Sequence, residues 1–142
     1  IGVAVGARWP GLAVTMADVN RAPAIGARNA RRNGVRGWSA SESDGVDHGA
    51  GAGKVALPTI HANPPIAAGK AVIYRMFADG AASLLPGGRL WLVIRKQQGA
   101  PSAMNYLATL FDEVAVVEKK SGYWVLRCTA PHQDTEEDTK DV

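Results

Sequence analysis

A single cysteine, Cys128, excludes an internal disulfide and a cysteine-based zinc site. It reads as a small hydrophobe buried in a strand, and it fits a reducing, cytoplasmic setting. No apolar run approaches the roughly 20 residues of a membrane-spanning helix, so no membrane is expected. No basic leader followed by a small-residue cleavage site opens the chain, so no secretory signal is expected. His61 has no second histidine at ligand spacing. It therefore reads as a core histidine, and no metal is expected. No internal repeat is visible.

What is present is a 142-residue chain, 46% hydrophobic and 20% charged, which fits one domain with a packed core. The net charge of +3 hides an asymmetry. Residues 134–142 hold five acids and Lys140, which leaves 15 basic and 8 acidic residues in 1–133, a body charge of +7. Such a body favours a polyanionic partner such as nucleic acid. Arg21, Arg28, Arg31, Arg32 and Arg36 form a run without an acid. It is either the solvated face of a helix or a surface for RNA phosphates.

Apolar spacing predicts the second half of a helix before Pro10, then a strand over 12–17 buried on both faces and ended by Asp18-Val19-Asn20. A helix over 21–33 closes at Asn33-Gly34, and a weaker strand runs over 35–41. Residues 45–54 are a glycine-rich loop. A strand follows over 55–63, with Pro58 awkward near its start, then a helix over 67–85 ended by Pro86-Gly87-Gly88. Strands are expected over 89–95, 114–118 and 123–129, with a helix over 102–110 and a hairpin turn at 119–122. Trp91 and Trp124 are expected in the strand core. Residues 131–142 read as an acidic, disordered tail behind a domain over 1–130. The alternation predicts an α/β fold with a doubly wound, mostly parallel sheet and an antiparallel C-terminal edge hairpin.

Asn63-Pro64-Pro65-Ile66 carries the chemistry. Two prolines end a strand, since neither donates to a ladder and each fixes φ near −65°. Asn63 is then held at a strand's carboxyl end on a stiff backbone, where open α/β sheets bind ligands. Asp18 and Asp44 fall at two other strand ends. If the strands are parallel neighbours, all three meet in one crevice suited to an adenosine-containing cofactor. Alternatively, Asp18 caps the next helix and Asp44 is a turn residue before Gly45. Lys70, Arg95 and Lys96 lie near element ends where substrate phosphate could meet them.

Val14-Thr-Met-Ala-Asp-Val-Asn20, Asn29-Ala-Arg-Arg-Asn-Gly34, Ser43-Asp-Gly45 and Asn63-Pro-Pro-Ile-Ala-Ala-Gly-Lys70 together resemble class I S-adenosylmethionine-dependent methyltransferases. Leu85-Pro-Gly-Gly-Arg-Leu-Trp-Leu-Val-Ile94, Lys96-Gln-Gln-Gly-Ala-Pro-Ser-Ala103 and Gly122-Tyr-Trp-Val-Leu-Arg127 narrow this to the methyltransferase small domain group. Within it, the chain is similar to enzymes that methylate the exocyclic guanine amine of small-subunit ribosomal RNA.

The resemblance implies a Rossmann-like sheet with S-adenosylmethionine as cofactor and ribosomal RNA or the small ribosomal subunit as partner. Asp18, with Val19 beside it, would hold the ribose hydroxyls. Asp44, with Gly45, would meet the adenine amino group. Asn63 and the Pro64 carbonyl would accept from the target amine, flanked by Pro65 and Ile66. Many relatives carry an aromatic residue where Ile66 stands.

The family's glycine-rich cofactor loop and the strand before it should lie ahead of Ile1. The expected sheet therefore lacks its first strand, and the strands ending at Asp18 and Asn63 lose their shared partner. Two rival readings are a methyltransferase of protein glutamine amides and a catalytically decayed RNA-binding scaffold.

Overall fold

The computed structural model describes residues 1–18, 22–42 and 56–132, with the backbone alone at 17–18, 22–24 and 38–42. The chain divides into two units, 1–55 and 56–142. Val19, Asp44, Gly45 and the acidic tail from 133 onward lie outside the described residues.

In the first unit, helix α1 (Gly2–Arg8) precedes strand β1 (Val14–Asp18), helix α2 (Ala22–Arg32) and strand β2 (Trp38–Glu42). The strands pair in parallel, from Val14 opposite Trp38 to Asp18 opposite Glu42. Helix α2 ends as its Asn-Gly signal requires. Gly34 takes φ +65°, its N–H donates to the Arg31 carbonyl, and the Val35 N–H donates to Ala30. These are the paired bonds of a left-handed helix cap. That cap consumes Val35 and delays β2 to residue 38, where the sequence predicts a start at 35. Thr15 is exposed, so β1 is not buried on both faces as predicted. A strand with one partner in a two-stranded sheet keeps its side-chain alternation.

The second unit holds β3 (Leu57–Ala62), α3 (Lys70–Ala82), β4 (Leu84–Arg95), α4 (Ala100–Leu107), β5 (Phe111–Lys120) and β6 (Tyr123–Pro131). The sheet order is β3-β4-β6-β5, with β3 parallel to β4 and both other pairings antiparallel. Among the described strands none pairs with both β1 and β3. The doubly wound, Rossmann-like α/β pattern is therefore present as a parallel pair and a mixed four-stranded sheet. Pro58 is tolerated because it falls at the register shift between Leu57 and Thr59, where it has no partner in β4 and a missing donor costs no bond of that ladder.

One face of this sheet carries the core. Leu90, Leu92 and Ile94 of β4 alternate inward with Leu126 and Cys128 of β6. Helix α3 meets them with Ile73, Phe77, Gly80 and Ala81, and α4 with Ala100, Ala103 and Leu107. Both sets follow helical spacing. Cys128 is fully buried and its thiol is pushed up to about 12. It stays protonated and inert at neutral pH, as a buried hydrophobe should.

The predicted helix over 67–85 is shorter than expected. Gly69, at φ +90°, separates a short 3-10 turn at 66–68 from α3. At the other end the Ser83 hydroxyl donates to the Asp79 carbonyl, and Leu84 already pairs with Leu57. Leu84 matched the helical period because it is buried, but it is buried as a strand residue. Between it and Arg89, which pairs with Thr59, β4 carries three residues more than β3. Gly87 takes φ +77° there. A Cβ on Gly88 would lie 2.8 Å from the Leu85 carbonyl oxygen and 3.2 Å from that of Leu57. Helix α4 begins at 100 and ends at 107, not 110, because Thr109 and Leu110 donate to Tyr106 and Leu107 in a closing turn. The β5–β6 hairpin turns at Ser121-Gly122, both at positive φ, the geometry that matches strand twist.

Helix α1 approaches its neighbours through glycine. A Cβ on Gly6 would lie 2.5 Å from Val35 Cγ1. Gly6→Ala gains about 1 kcal/mol of helix propensity but forces an overpacking cost of about 1–3 kcal/mol. Thermal denaturation should show a lower Tm for this variant. An unchanged or higher Tm would mean that Val35 yields freely.

Candidate active site

The parallel pairing of β3 on β4 sets the site. Ile60, His61 and Ala62 stand opposite Leu90, Trp91 and Leu92. Ile60 and Ala62 pack against the core, so His61 points to the other face. It is exposed there, with its ring stacked on Trp91 at 6.3 Å and Nε2 3.3 Å from Thr59 Oγ1. Two sequence expectations change. His61 is not a core histidine, and Trp91 is half-buried on the face away from α3 and α4. An apolar strand in which every residue looks buried still alternates. Trp124 does pack against the core, with Lys119 Nζ 4.4 Å from its ring centroid.

Past Ala62 the two prolines act as predicted and the strand stops. Asn63 is exposed, Pro64 is buried, and Pro65 and Ile66 are half-buried. The Pro65 carbonyl accepts the Ala68 N–H at 2.9 Å. The Pro64 carbonyl and the Asn63 side chain form no hydrogen bond with another described residue. Two adjacent acceptors therefore sit on a stiff backbone without a hydrogen-bond partner among the described residues, one buried proline anchoring them. Such a pair can hold the two hydrogens of a primary amine.

Ile66 packs on the core and closes a cavity of about 30 Å³, lined also by Ile73, Tyr74, Ile94 and Gln98. That is room for two or three waters at about 10–15 Å³ each, far below the size of a nucleobase. Ile66 therefore plugs the sheet end, backed by Tyr74, whose ring stacks on Tyr106 at 4.2 Å. Sequence reasoning did not single out Gln98 or Tyr74. Tyr74, four residues after Lys70, had a signal in its helical spacing.

Lys70 opens α3, Arg95 ends β4 and Lys96 follows it, all exposed at the carboxyl end of the parallel pair. Asn63, Pro64, Pro65 and Ile66 are thus brought together with these cations. Asp18 lies elsewhere in the hydrogen bonding, as the last residue of β1 and in register with Glu42. Of the arginine run, Arg28, Arg31, Arg32 and Arg36 are exposed, and Arg21 lies outside the described residues. No helix of the described residues is long and apolar enough to cross a membrane.

The methyltransferase small domain family matches residues 1–127. The uncharacterized protein YbxB of Bacillus subtilis is 41% identical over 128 residues, which are 89% of this chain and 63% of that protein. Among solved structures, a Pyrococcus furiosus methyltransferase superposes with a TM-score of 0.70 at 18% identity, over 91% of this chain and 68% of that one. The T. thermophilus 16S rRNA guanine-N2 methyltransferase RsmC, solved with AdoMet and guanosine, gives 0.60 at 18% identity, over 93% of this chain and 39% of that one. At that identity the likeness is one of fold.

Burial lowers the His61 pKa below its ordinary 6.5. The ring is neutral at pH 7, and its contribution to stability falls as pH drops through 6.5, where the unfolded chain takes up the proton first. An NMR titration should place the His61 midpoint below 6.5. Trp91→Ala, which opens the stacked face, should move it up towards 6.5. An unmoved midpoint would show that Trp91 does not desolvate the ring.

Proposed function

This chain belongs to the methyltransferase small domain family, and we propose that it transfers a methyl group from S-adenosylmethionine to an exocyclic guanine amine of small-subunit ribosomal RNA. The observation that carries this is the pair of acceptors on Asn63 and Pro64 at the carboxyl end of β3, which have no hydrogen-bond partner among the described residues. The RsmC likeness and the basic body of the chain support an RNA substrate. Residues 1–130 act in this reading as one methyltransferase domain, in the cytoplasm.

An exocyclic guanine amine is a poor nucleophile because its lone pair is delocalised into the ring. The Asn63 side-chain oxygen and the Pro64 carbonyl accept its two N–H bonds and turn the lone pair out of the ring plane. Bound S-adenosylmethionine supplies the methyl group on a sulfonium sulfur that leaves as a neutral thioether. As the nitrogen gains positive charge, both acceptors stabilise it, and fixed dipoles need no reorganisation at that moment. The extra proton then leaves to water. Asp18 would hold the cofactor's ribose hydroxyls and Asp44 its adenine amino group, with Val19 and Gly45 beside them. The backbone position of Asp18 fits, since it ends a parallel strand where such sheets take ligands.

The test is tritiated methyl transfer into small-subunit ribosomal RNA by the full-length protein. Asn63→Ala should lower kcat by about 10²–10³, the usual cost of one transition-state hydrogen bond. Wild-type incorporation no greater than that of Asn63→Ala sinks the proposal. A methyl mass shift on a protein substrate instead of RNA would overturn the substrate class alone.

A further inference from the structure

The geometry points to the β5–β6 hairpin tip as an RNA-backbone clamp beside the Asn63 site, and this inference rests on the RNA reading above. Four cations gather at that end of the sheet, Arg95 and Lys120 on the face of Tyr123, Lys119 on the opposite face with Trp124, and Lys96 just past β4. Arg95 pairs with Tyr123, Lys120 also pairs with Tyr123, and Lys119 pairs with Trp124. Lys96 is tied to the turn by its N–H, which donates to the Gly122 carbonyl at 2.9 Å. All four side chains are exposed, and among the described residues none forms an ion pair.

Two of these cations are held in place by aromatic rings. Arg95 Cζ lies 4.9 Å from the Tyr123 ring centroid, and Lys119 Nζ lies 4.4 Å from that of Trp124. A solvated surface lysine samples many rotamers and loses that freedom when it meets a phosphate. A cation resting on a ring has already lost part of it, so more of its attraction remains as affinity. The turn itself is stiff, since Ser121 and Gly122 are both held at positive φ.

The location identifies the occupant. Strand β3 is parallel to β4, so Asn63 and Arg95 emerge from the same end of the sheet. The hairpin joins β5 to β6, and its turn lies at that end as well. Strands about 5 Å apart, with Arg95 three residues of about 3.3 Å beyond the partner of Ala62, put the tip about 15–20 Å from the end of β3. An RNA strand with its target amine at Asn63 would carry neighbouring phosphates across that span. Phosphate contacts of this kind fix register and orientation without reading sequence.

The experiment measures binding of in vitro transcribed small-subunit ribosomal RNA to the full-length protein between 50 and 200 mM salt, alongside methyl transfer. Three proteins are compared: wild type, Lys119→Ala/Lys120→Ala and Lys119→Arg/Lys120→Arg, with Tm measured for each. Losing two phosphate contacts should lower the slope of log affinity against log salt by about 1.4 for a single strand. The advantage of wild type over the alanine variant should then shrink about sevenfold across that salt range. KM for RNA should rise more than kcat falls, and the arginine variant should restore both binding and slope. If wild type methylates RNA while the alanine variant keeps its slope and KM, the clamp is wrong and the proposed function stands. If the arginine variant fails like the alanine one at unchanged Tm, the effect is not charge and the clamp is again wrong. Wild type that neither binds nor methylates RNA overturns both.

Discussion

The parallel register of β3 on β4 is the constraint on which the candidate site depends. Leu90 and Leu92 are sealed against α3 and α4, so β4 cannot slide without exposing them. A slip of one residue would turn that whole apolar set to the other face. Ile60 and Ala62 are locked to the same register. The position of Asn63 is therefore set by burial of leucines, at no cost to the chemistry of the amide. The prolines then prevent the strand from continuing, which keeps the Asn63 and Pro64 acceptors out of any ladder.

Much of this was legible in the residues. Asn63-Pro-Pro ends a strand because proline has no N–H, Asn33-Gly34 caps α2, and Lys120-Ser-Gly-Tyr123 turns a hairpin. Local chemistry decides each of these. The boundaries that shifted depend on partners distant in sequence. Leu84 and Leu85 fit a helical period, but the pairing of Leu84 with Leu57 claims the first for β4. His61 and Trp91 sit in apolar runs, and only the tertiary placement of α3 and α4 decides which face of the sheet is covered. Asn63, Pro64, Pro65 and Ile66 were readable as one local motif. The link from them to Asp18 and Asp44 runs through no strand pairing among the described residues, so periodicity alone could not establish it.

Charge and packing divide the work in the second unit. The core side of the sheet is aliphatic with an inert thiol, and it holds the frame. The carboxyl end gathers the exposed cations Lys70, Arg95 and Lys96 with Asn63, which is exposed, and Pro64, which is buried. The cations there suit a polyanion, while a neutral amine meets the dipoles of Asn63 and Pro64.

The irregular join between α3 and β4 has a consequence for how this fold can vary. Three surplus residues near Pro86 and Gly87 are absorbed outside the ladder, and pairing resumes at Arg89 as if they were not there. Pro86 and Gly87 face solvent, and only Gly88 is pinned by close carbonyls. Length changes between Pro86 and Gly87 should therefore be mechanically insulated from Asn63. Slow amide exchange at Leu90 and Leu92 in a one-residue insertion variant would show it, and loss of that protection would show that the join transmits strain. The protein keeps a slack segment next to its most exacting register, so a lineage could alter this surface without moving the site.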